Sequence, residues 1–310
     1  MARYLVTGGA GFIGSHLVDH LLAAGHEVMV VDDFSTGRRE NLAAHPRLTV
    51  LEGDILEMEA KQFPQPFEGV AHLAAWASVN DSWTSLRRAH EVNLSATVRV
   101  LDLARVLQIP RVVYASSAAV YGAPARIPIR EDDAAQPLSP YGLQKLAGEH
   151  YGRLLAQEEG PTFVALRFFN VFGPRQVASS PYSGVISKFA AAFRSGGPIK
   201  INGDGRQTRD FVYVADLTRG LSAALAAPGL PPFTVCNLGT GNAITIRALA
   251  ETMRLLFPGW SGAVEHGPAL PGDIVHSQAT IEVARRLLGY EPKYSLETGL
   301  AEMQRKLEVG

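Results

Sequence analysis

The stretch Thr7-Gly8-Gly9-Ala10-Gly11-Phe12-Ile13-Gly14 decides the fold of this chain. It follows the strand-like run Tyr4-Leu5-Val6 and opens a helical pattern, so it predicts a strand, a tight turn and a helix. Gly8 permits the turn, Gly11 lets backbone N–H groups approach a pyrophosphate, and Gly14 allows close packing of helix and strand. The helix N-terminus then faces the phosphates. The stretch therefore predicts a dinucleotide-binding turn.

A carboxylate ends the second predicted strand, at Val31-Asp32-Asp33. An acid about twenty residues beyond such a turn accepts hydrogen bonds from the adenosine ribose. Because Asp32 also repels a 2′-phosphate, the sequence favours NAD over NADP, although Arg38 and Arg39 downstream leave NADP open. Asp54, which follows the third strand, is expected near the adenine amino group.

Short β-branched runs alternate with longer helical patterns over the first two thirds of the chain. Strands are predicted at residues 4–7, 27–31, 48–51, 69–73, 111–115 and 163–168, and helices at 13–24, 85–107 and 140–157. This rhythm predicts an α/β fold with a Rossmann-type doubly wound parallel sheet. Prolines and glycines interrupt the chain after residue 170.

Two domains are therefore expected. Residues 1–170 are predicted to form the NAD-binding domain and residues 171–310 a smaller α/β domain that binds the substrate. The run 233–238 reads as a strand of the first sheet, so the chain is expected to return there at about 212–245.

Composition excludes several classes of protein. With 29 Lys and Arg against 30 Asp and Glu, the chain has no basic footprint for nucleic acid. Prolines interrupt the uncharged run 220–246, so no membrane span is expected. Met1 to Tyr4 lead directly into a strand without a signal-peptide pattern, and a cytoplasmic location is expected. The single cysteine, Cys236, reads as a small buried residue, and the histidines form no metal-ligand pattern, so no metal is expected.

A serine, a tyrosine and a lysine are predicted to carry the chemistry. Ser117 closes the fifth strand, while Tyr141 and Lys145, four residues apart, share one helical face. A phenol with its usual pKa of ~10 is a poor base, and lowering that pKa by ~3 units requires about 4 kcal/mol. A lysine ammonium and a positive nicotinamide ring are expected to supply this energy, with Ser117 holding the substrate hydroxyl.

These motifs resemble the extended short-chain dehydrogenases/reductases, and within them the NAD-dependent nucleotide-sugar 4-epimerases of the UDP-galactose 4-epimerase type. The similarity spans essentially the whole chain, including His72-Leu73-Ala74-Ala75 and the segments 116–122, 167–174 and 202–212. It implies an NAD site formed by Gly8, Gly11, Phe12, Ile13, Gly14, Asp32, Asp33, Phe34, Ser35, Thr36, Gly37, Asp54, Ile55, Leu73, Ala74, Ala75, Asn93, Ser116, Tyr141, Lys145 and Phe168.

The resemblance also implies a reaction. Similar enzymes that dehydrate or decarboxylate nucleotide sugars carry an acid after the paired serines, where this chain has Ala118 and Ala119. Oxidation and reduction at a single carbon remain. Tyr141 is then expected to take the C4 hydroxyl proton, giving a 4-keto sugar that turns over before reduction. NAD would stay tightly bound and be regenerated in each turnover.

The substrate residues implied by the resemblance are Ser78, Val79, Ser117, Tyr141, Asn170, Gln176, Gly184, Val185, Lys200, Asn202, Arg209, Asp273 and Ser277. Arg209 suits the UDP diphosphate, but Leu270 stands where similar enzymes have another arginine. The small Ser277 leaves room for an acetamido group. The expected substrates are UDP-GlcNAc and UDP-GalNAc, with UDP-Glc and UDP-Gal also accepted.

Alternatives stay open at this point. A UDP-glucuronic acid 4-epimerase needs a basic residue near the sugar C6, for which His276 and Arg175 are candidates, and other nucleotide sugars fit the same motifs. A non-catalytic NAD-sensing protein could use this scaffold, although such proteins usually lose the Tyr–Lys pair. The resemblance also implies a homodimer through a helix bundle at residues 85–107 and 140–157.

Overall fold

Parallel strands form the main layer of this protein, whose computed structural model describes residues 1–64, 66–176, 184–269 and 274–309. The strands are β1 (Arg3–Thr7), β2 (Glu27–Asp32), β3 (Leu48–Glu52), β4 (Gly69–His72), β5 (Arg111–Ser117), β6 (Thr162–Phe168), β7 (Asn170–Phe172), β8 (Ile199–Asn202), β9 (Thr208–Tyr213), β10 (Phe233–Leu238), β11 (Ala243–Thr245) and β12 (Val264–Gly267). Seven of them pair in the order β10-β6-β5-β4-β1-β2-β3, all parallel.

The helices are α1 (Phe12–Ala23), α2 (Val79–Thr84), α3 (Leu86–His90), α4 (Ala96–Val106), α5 (Pro140–Gln157), α6 (Val185–Ser195), α7 (Val214–Ala226), α8 (Ile246–Leu256), α9 (Glu282–Leu288) and α10 (Leu296–Val309). Short 3₁₀ turns link several of them. Across the described ranges, no helix combines the length and apolar character that a membrane crossing requires.

Helices cover both faces of the large sheet because its side chains alternate between the faces. Val6, Val28 and Val30 pack with α1 and α7 in one apolar cluster. Leu5 and Met29 each precede or follow one of these valines by one residue, so they face the opposite side of the sheet. They pack with α4 in a second apolar cluster. The doubly wound parallel sheet predicted from the sequence is therefore confirmed.

In the described part of the chain, two smaller sheets are formed by β7, β8, β9, β11 and β12. In the first, β9 pairs with β7 in parallel and with β11 in antiparallel fashion; in the second, β8 pairs with β12. Phenylalanines and leucines of α6, α8 and β9 bury a third apolar cluster between them. Strand β10 returns to the edge of the large sheet beside β6, as the run 233–238 indicated. The division into domains at residue 170 stays a prediction.

The predicted helix at residues 85–107 is wrong in one respect, because it is not continuous. It consists of α3, a π-helical turn at Glu91–Ser95, and α4. The turn contains Asn93, which is completely buried. Its side chain forms hydrogen bonds with the backbone of Trp76 and with the side chain of Gln144. Widened turns of this kind are frequent at functional sites. Apolar periodicity does not reveal such a turn, because the flanking helices continue the same pattern.

All strands of the large sheet end at the same edge because they are parallel. The strand order reverses between β1 and β4. From this point the chain adds β2 and β3 on one side of the sheet and β5 and β6 on the other. Ligands of doubly wound sheets bind in the crevice at this point, beyond the carboxyl ends of the strands. The glycine turn, Asp32, Ser116 and Ser117 all lie at these ends.

Candidate active site

The glycine turn connects β1 to α1, and its shape requires glycine at two positions. Gly8 has a φ of 71°, and a Cβ there would lie 2.6 Å from the backbone nitrogen of Ala74. A Cβ on Gly14 would lie 2.1 Å from the carbonyl oxygen of Gly8. No side chain caps the N-terminus of α1 at Gly11. The first N–H groups of a helix lack partners within the helix, so this turn suits a phosphate group.

Asp32 is fixed at the end of β2. Its Oδ2 accepts a hydrogen bond of 2.8 Å from the backbone N–H of Ala10, and its Oδ1 accepts one of 2.9 Å from that of Phe34. Burial raises the pKa of Asp32, and these two hydrogen bonds oppose the rise. Each carboxylate oxygen accepts more than one hydrogen bond, so both can still bind ribose hydroxyls.

A cavity of about 290 Å³ runs along the carboxyl edge of the sheet from the glycine turn to α5. Most of the predicted NAD-binding residues line the wall of this cavity. These are Gly8, Gly11, Phe12, Ile13, Gly14, Asp32, Asp33, Ser35, Thr36, Gly37, Asp54, Ile55, Leu73, Ala74, Ala75, Ser116, Tyr141, Lys145 and Phe168. The residues present therefore fit a dinucleotide, and the binding of its adenosine at Asp32 and Asp54 stays a prediction.

Two predicted NAD-binding residues lie outside this wall. The backbone of Phe34 supports Asp32, while its ring lies 4.1 Å from the guanidinium carbon of Arg39. Asn93 lies behind the wall and binds the backbone of Trp76. Among residues that the sequence analysis did not assign, the wall includes Val31, Gly53, Ala77, Val92, Ala96 and Ala115. Several of these directly adjoin strand ends, which is the signal that could have identified them.

Tyr141 and Lys145 lie at one end of the cavity, both buried on α5. Ser139 caps this helix by accepting a hydrogen bond from Gly142, and Pro140 occupies its first turn. The Nζ of Lys145 lies 5.8 Å from the centre of the Tyr141 ring and 5.0 Å from that of Tyr114. The predicted sharing of one helical face is confirmed by these positions.

The electrostatics of this end are dominated by burial. Burial raises the pKa of Tyr141, and a hydrogen bond with Ser117 partly opposes the rise. Burial also lowers the pKa of Lys145 to about 7. Burial thus favours the neutral forms of both side chains, and a phenolate at Tyr141 requires Lys145 in its charged form.

A buried ion pair anchors α5 on the side away from the cavity. Glu149, one turn beyond Lys145, receives two hydrogen bonds from Arg167 on β6, of 2.9 and 2.7 Å. The Ser116 hydroxyl donates a third, of 2.5 Å, to the same carboxylate. The pair thus links α5, β5 and β6 where they meet the cavity.

The predicted substrate residues do not share that cavity, Tyr141 excepted. Gln176 lines a neighbouring cavity, and Arg209 lines a third one with Tyr294 and Glu297. Ser78 caps α2, with Val79 as its first residue. The others occupy these places: Asn170 begins β7, Gly184 caps α6, Val185 begins α6, and Lys200 and Asn202 lie on β8. Ser277 is buried and donates its backbone N–H to Thr208 on β9. Asp273 and Leu270 lie outside the described residues.

No group of histidine, cysteine or acidic side chains suited to a metal ion occurs in the described part of the chain. Cys236 is buried on β10, and burial raises the pKa of its thiol to about 12.

Comparison with known proteins matches residues 4–239 to the NAD dependent epimerase/dehydratase family. A putative UDP-glucose 4-epimerase of Methanocaldococcus jannaschii is 35% identical over 96% of this chain and 95% of its own length. A UDP-glucose 4-epimerase of Mycolicibacterium smegmatis is 37% identical over 97% and 96%. UDP-glucuronic acid decarboxylase 1 of Arabidopsis thaliana is 34% identical over 97% of this chain and 68% of that protein.

Solved structures agree in fold and cofactor. The UDP-N-acetylglucosamine 4-epimerase of Methanobrevibacter ruminantium, in complex with UDP-N-acetylmuramic acid, has a TM-score of 0.94 and 34% identity and covers 99% of this chain and 98% of its own. The UDP-glucose 4-epimerase of Thermus thermophilus, in complex with NAD, has a TM-score of 0.88 and 32% identity and covers 99% of both chains. This chain therefore belongs to the NAD dependent epimerase/dehydratase family, whose cofactor is NAD.

Proposed function

We propose that this protein is an NAD-dependent UDP-hexose 4-epimerase that inverts C4 through a transient 4-keto sugar. The observation that carries the proposal is the buried pair Tyr141 and Lys145, which lines the dinucleotide cavity while Ser117 hydrogen-bonds to Tyr141. The UDP-sugar 4-epimerases among its relatives support the same reaction class.

Tyr141 is the proposed proton acceptor for the C4 hydroxyl. Its phenol already has a hydrogen-bond partner in Ser117, which can hold the substrate hydroxyl in line. The sugar must be released from this contact, turned and bound again, so Ser117 and Tyr141 serve both faces of the substrate. In the second half of the reaction, the same phenol returns the proton.

Lys145 is the proposed source of the charge that makes Tyr141 a base. When bound in the cavity that Tyr141 and Lys145 line, NAD would supply the acceptor and donor of the C4 hydride and, in its oxidised form, a positive charge. Burial lowers the pKa of Lys145 to about 7, so a substantial fraction of the side chain is charged at neutral pH. The ammonium of Lys145, 5.8 Å from the centre of the Tyr141 ring, then stabilises the phenolate.

The residues after the paired serines support epimerisation over elimination. Ala118 and Ala119 form a 3₁₀ turn after Ser117, and neither can donate a proton. Among the described residues that line the cavity, the acids are Asp32, Asp33 and Asp54, which belong to the adenosine end. Glu149 lies behind the wall and is held by Arg167 and Ser116. Dehydration or decarboxylation would need a second acid near Tyr141.

UDP-GlcNAc and UDP-GalNAc are the proposed substrates, with UDP-Glc and UDP-Gal also accepted. The small side chain of Ser277 supports the N-acetylated sugars, as does the likeness to a UDP-N-acetylglucosamine 4-epimerase. Arg209 and Asn170 are the proposed contacts of the UDP portion. Arg209 is held on β9 by a hydrogen bond of 2.8 Å to the carbonyl of Thr208.

Proton NMR of the anomeric signals tests the proposal. The purified protein is incubated with UDP-GlcNAc, UDP-Glc or UDP-glucuronic acid, with and without added NAD. Appearance of the C4 epimer without external reductant is expected, at the highest rate with UDP-GlcNAc. A pentose product from UDP-glucuronic acid would instead indicate a decarboxylase, and no change with any substrate would contradict the assignment.

Tyr141→Phe provides the residue-level test. The variant keeps the ring and loses the hydroxyl, so a fall in turnover of at least about 100-fold is expected. Leu143→Met, two residues along the same helix and exposed, is the matched control and should turn over normally. Turnover by Tyr141→Phe close to that of the natural protein would sink the mechanism.

A further inference from the structure

The aromatic ring of Tyr114 on β5 lies closer to the Lys145 ammonium than the ring of Tyr141 does. The Nζ of Lys145 lies over the Tyr114 ring, 5.0 Å from its centre, whereas its distance from the centre of the Tyr141 ring is 5.8 Å. Tyr114 and Lys145 are both buried. The face of an aromatic ring attracts a cation, and the attraction is strongest where water is excluded. The Tyr114 ring therefore stabilises the charged form of Lys145.

The position of the Tyr114 ring is fixed by its neighbours. The ring of His72 on β4 stacks on it at 5.9 Å between the ring centres, and the ring of Phe163 on β6 lies at 5.6 Å. Gly148 on α5 leaves room for it, because a Cβ there would lie 2.5 Å from the Tyr114 hydroxyl oxygen. That oxygen lies 3.5 Å from the backbone carbonyl oxygen of Lys145. The ring is thus packed directly against the helix that carries the lysine.

The Lys145 ammonium has no carboxylate partner among the described residues, and burial lowers its pKa to about 7. Glu149, one turn further along α5, is bound by Arg167 and by Ser116 instead. The titratable and charged groups around Lys145 come from α5, β4, β5 and β6, and they are Tyr141, Glu149, His72, Tyr114 and Arg167.

Two of these groups are neutral at physiological pH. Burial lowers the pKa of His72 to about 3 and raises the pKa of Tyr114 well above its usual range. Because Arg167 balances the charge of Glu149, no unpaired negative charge of the protein offsets the cost of burying the ammonium. The electron-rich face of the Tyr114 ring is then the stabilising contact that the fold provides.

We propose that Tyr114 is a positioning residue for the proton transfer, and that its ring holds the Lys145 side chain in its charged form beside Tyr141. The proposal rests on the proposed function, in which this ammonium makes Tyr141 a base. Tyr114 does not line the dinucleotide cavity, so it acts through Lys145.

Carbon-13 NMR of the lysine ε-carbons in the full chain measures the titration of Lys145 directly, and the Lys145→Met variant identifies its signal. Tyr114→Leu removes the ring and is expected to lower the midpoint of this titration by about one pH unit. Tyr114→Phe keeps the ring and loses only the hydroxyl, so it should leave the midpoint unchanged. Tyr114→Met fills the space with a flexible side chain and replaces the leucine variant if that variant fails to fold.

Phe163→Leu is the matched control. It removes another buried ring, which contacts Tyr114 and forms no cation–π contact with Lys145, so the midpoint should not move. Equal shifts in Tyr114→Leu and Phe163→Leu would indicate a structural role only and overturn the proposal. An unchanged midpoint in Tyr114→Leu would also overturn it. So would a raised midpoint, because it would show that the ring merely keeps water away from the ammonium.

The pH dependence of turnover gives the second readout. In Tyr114→Leu, the alkaline limb of the kcat profile should move to lower pH by about one unit, while KM for the UDP-sugar changes less than about twofold. Tyr114→Phe should restore the natural profile. If the protein is not an epimerase, turnover is absent but the NMR shift remains. If it is an active epimerase whose Lys145 titrates identically in Tyr114→Leu, this inference alone is wrong.

Discussion

The Nδ2 of Asn93 lies 2.9 Å from the Oε1 of Gln144, the residue that lies between Tyr141 and Lys145 on helix α5. The other hydrogen bonds of Asn93 go to the backbone of Trp76: Oδ1 accepts from its N–H at 2.8 Å and Nδ2 donates to its carbonyl at 3.3 Å. One buried side chain thus connects the loop after β4 to α5, the helix that carries Tyr141 and Lys145.

Asn93→Ala is therefore expected to lower the free energy of unfolding by about 1–3 kcal/mol, because it leaves buried backbone groups of Trp76 without partners. Gln144→Leu should cost less, since Asn93 then keeps both bonds to Trp76. Urea denaturation of both variants measures the difference. A larger loss in Gln144→Leu would show that the loop does not depend on Asn93.

Glu149 and Arg167 form a second buried link, between α5 and β6, and both are nearly inaccessible to solvent. Glu149→Gln leaves the guanidinium without its charged partner, so a loss of about 3–5 kcal/mol in the free energy of unfolding is expected. Glu91→Gln breaks the exposed pair of Arg87 and Glu91 and should cost no more than about 0.5 kcal/mol. Equal effects in the two variants would contradict this assignment.

The sequence predicted most of what local chemistry determines. The glycine turn, the acid at the end of β2 and the Tyr–Lys spacing each place a residue by backbone geometry alone, and all of them line the cavity. Asn93 shows where such reasoning stops. Its contact with NAD stays a prediction, whereas the π-helical turn that directs its side chain to Trp76 and Gln144 could not be read from the motif.

The substrate side was less predictable for a related reason. Lys200, Arg209 and Ser277 lie on different strands and loops of the smaller sheets, and their distances depend on how these pieces pack. The position of Arg175 likewise depends on an ion pair with Asp19, 156 positions earlier in the chain. Motif spacing contains no information on such a contact.

His72 joins β1 to α4 and is expected to make stability depend on pH. Thr97 Oγ1 donates to the carbonyl of Asn93, so it accepts from His72 Nε2 at 3.1 Å. The Nδ1 of His72 then accepts from Thr7 Oγ1 at 2.7 Å, which fixes a neutral imidazole. Burial lowers the pKa of His72 to about 3, with a smaller contribution from Lys145.

Between pH 6.5 and about 3, the unfolded chain therefore binds one proton at His72 that the native protein does not bind. Stability must fall as the pH falls through this range, by about 1.4 kcal/mol per pH unit from this group. His72→Gln, which can keep a donor and an acceptor, should remove that contribution. Urea denaturation at pH 6, 5 and 4 measures it, and identical slopes for both proteins would contradict a neutral buried His72.

Exposed apolar residues on α4 and α5 indicate where a second copy of the chain would bind. Leu143 and Leu154 on α5 are 58% and 57% exposed, and Val106 on α4 is 59% exposed. The two helices contact each other, and we call their exposed apolar side chains the α4–α5 surface; exposed apolar surfaces of this kind mark interaction sites. We expect a homodimer in which this surface packs against its own copy.

Leu154→Glu should raise the dimer Kd at least about 30-fold, because a charge is buried at the centre of the interface. Leu255→Glu, on α8 where the leucine is 82% exposed, is the control and should leave the dimer intact. Sedimentation velocity over a range of concentrations distinguishes the two, and a monomeric natural chain at micromolar concentration would rule out this interface.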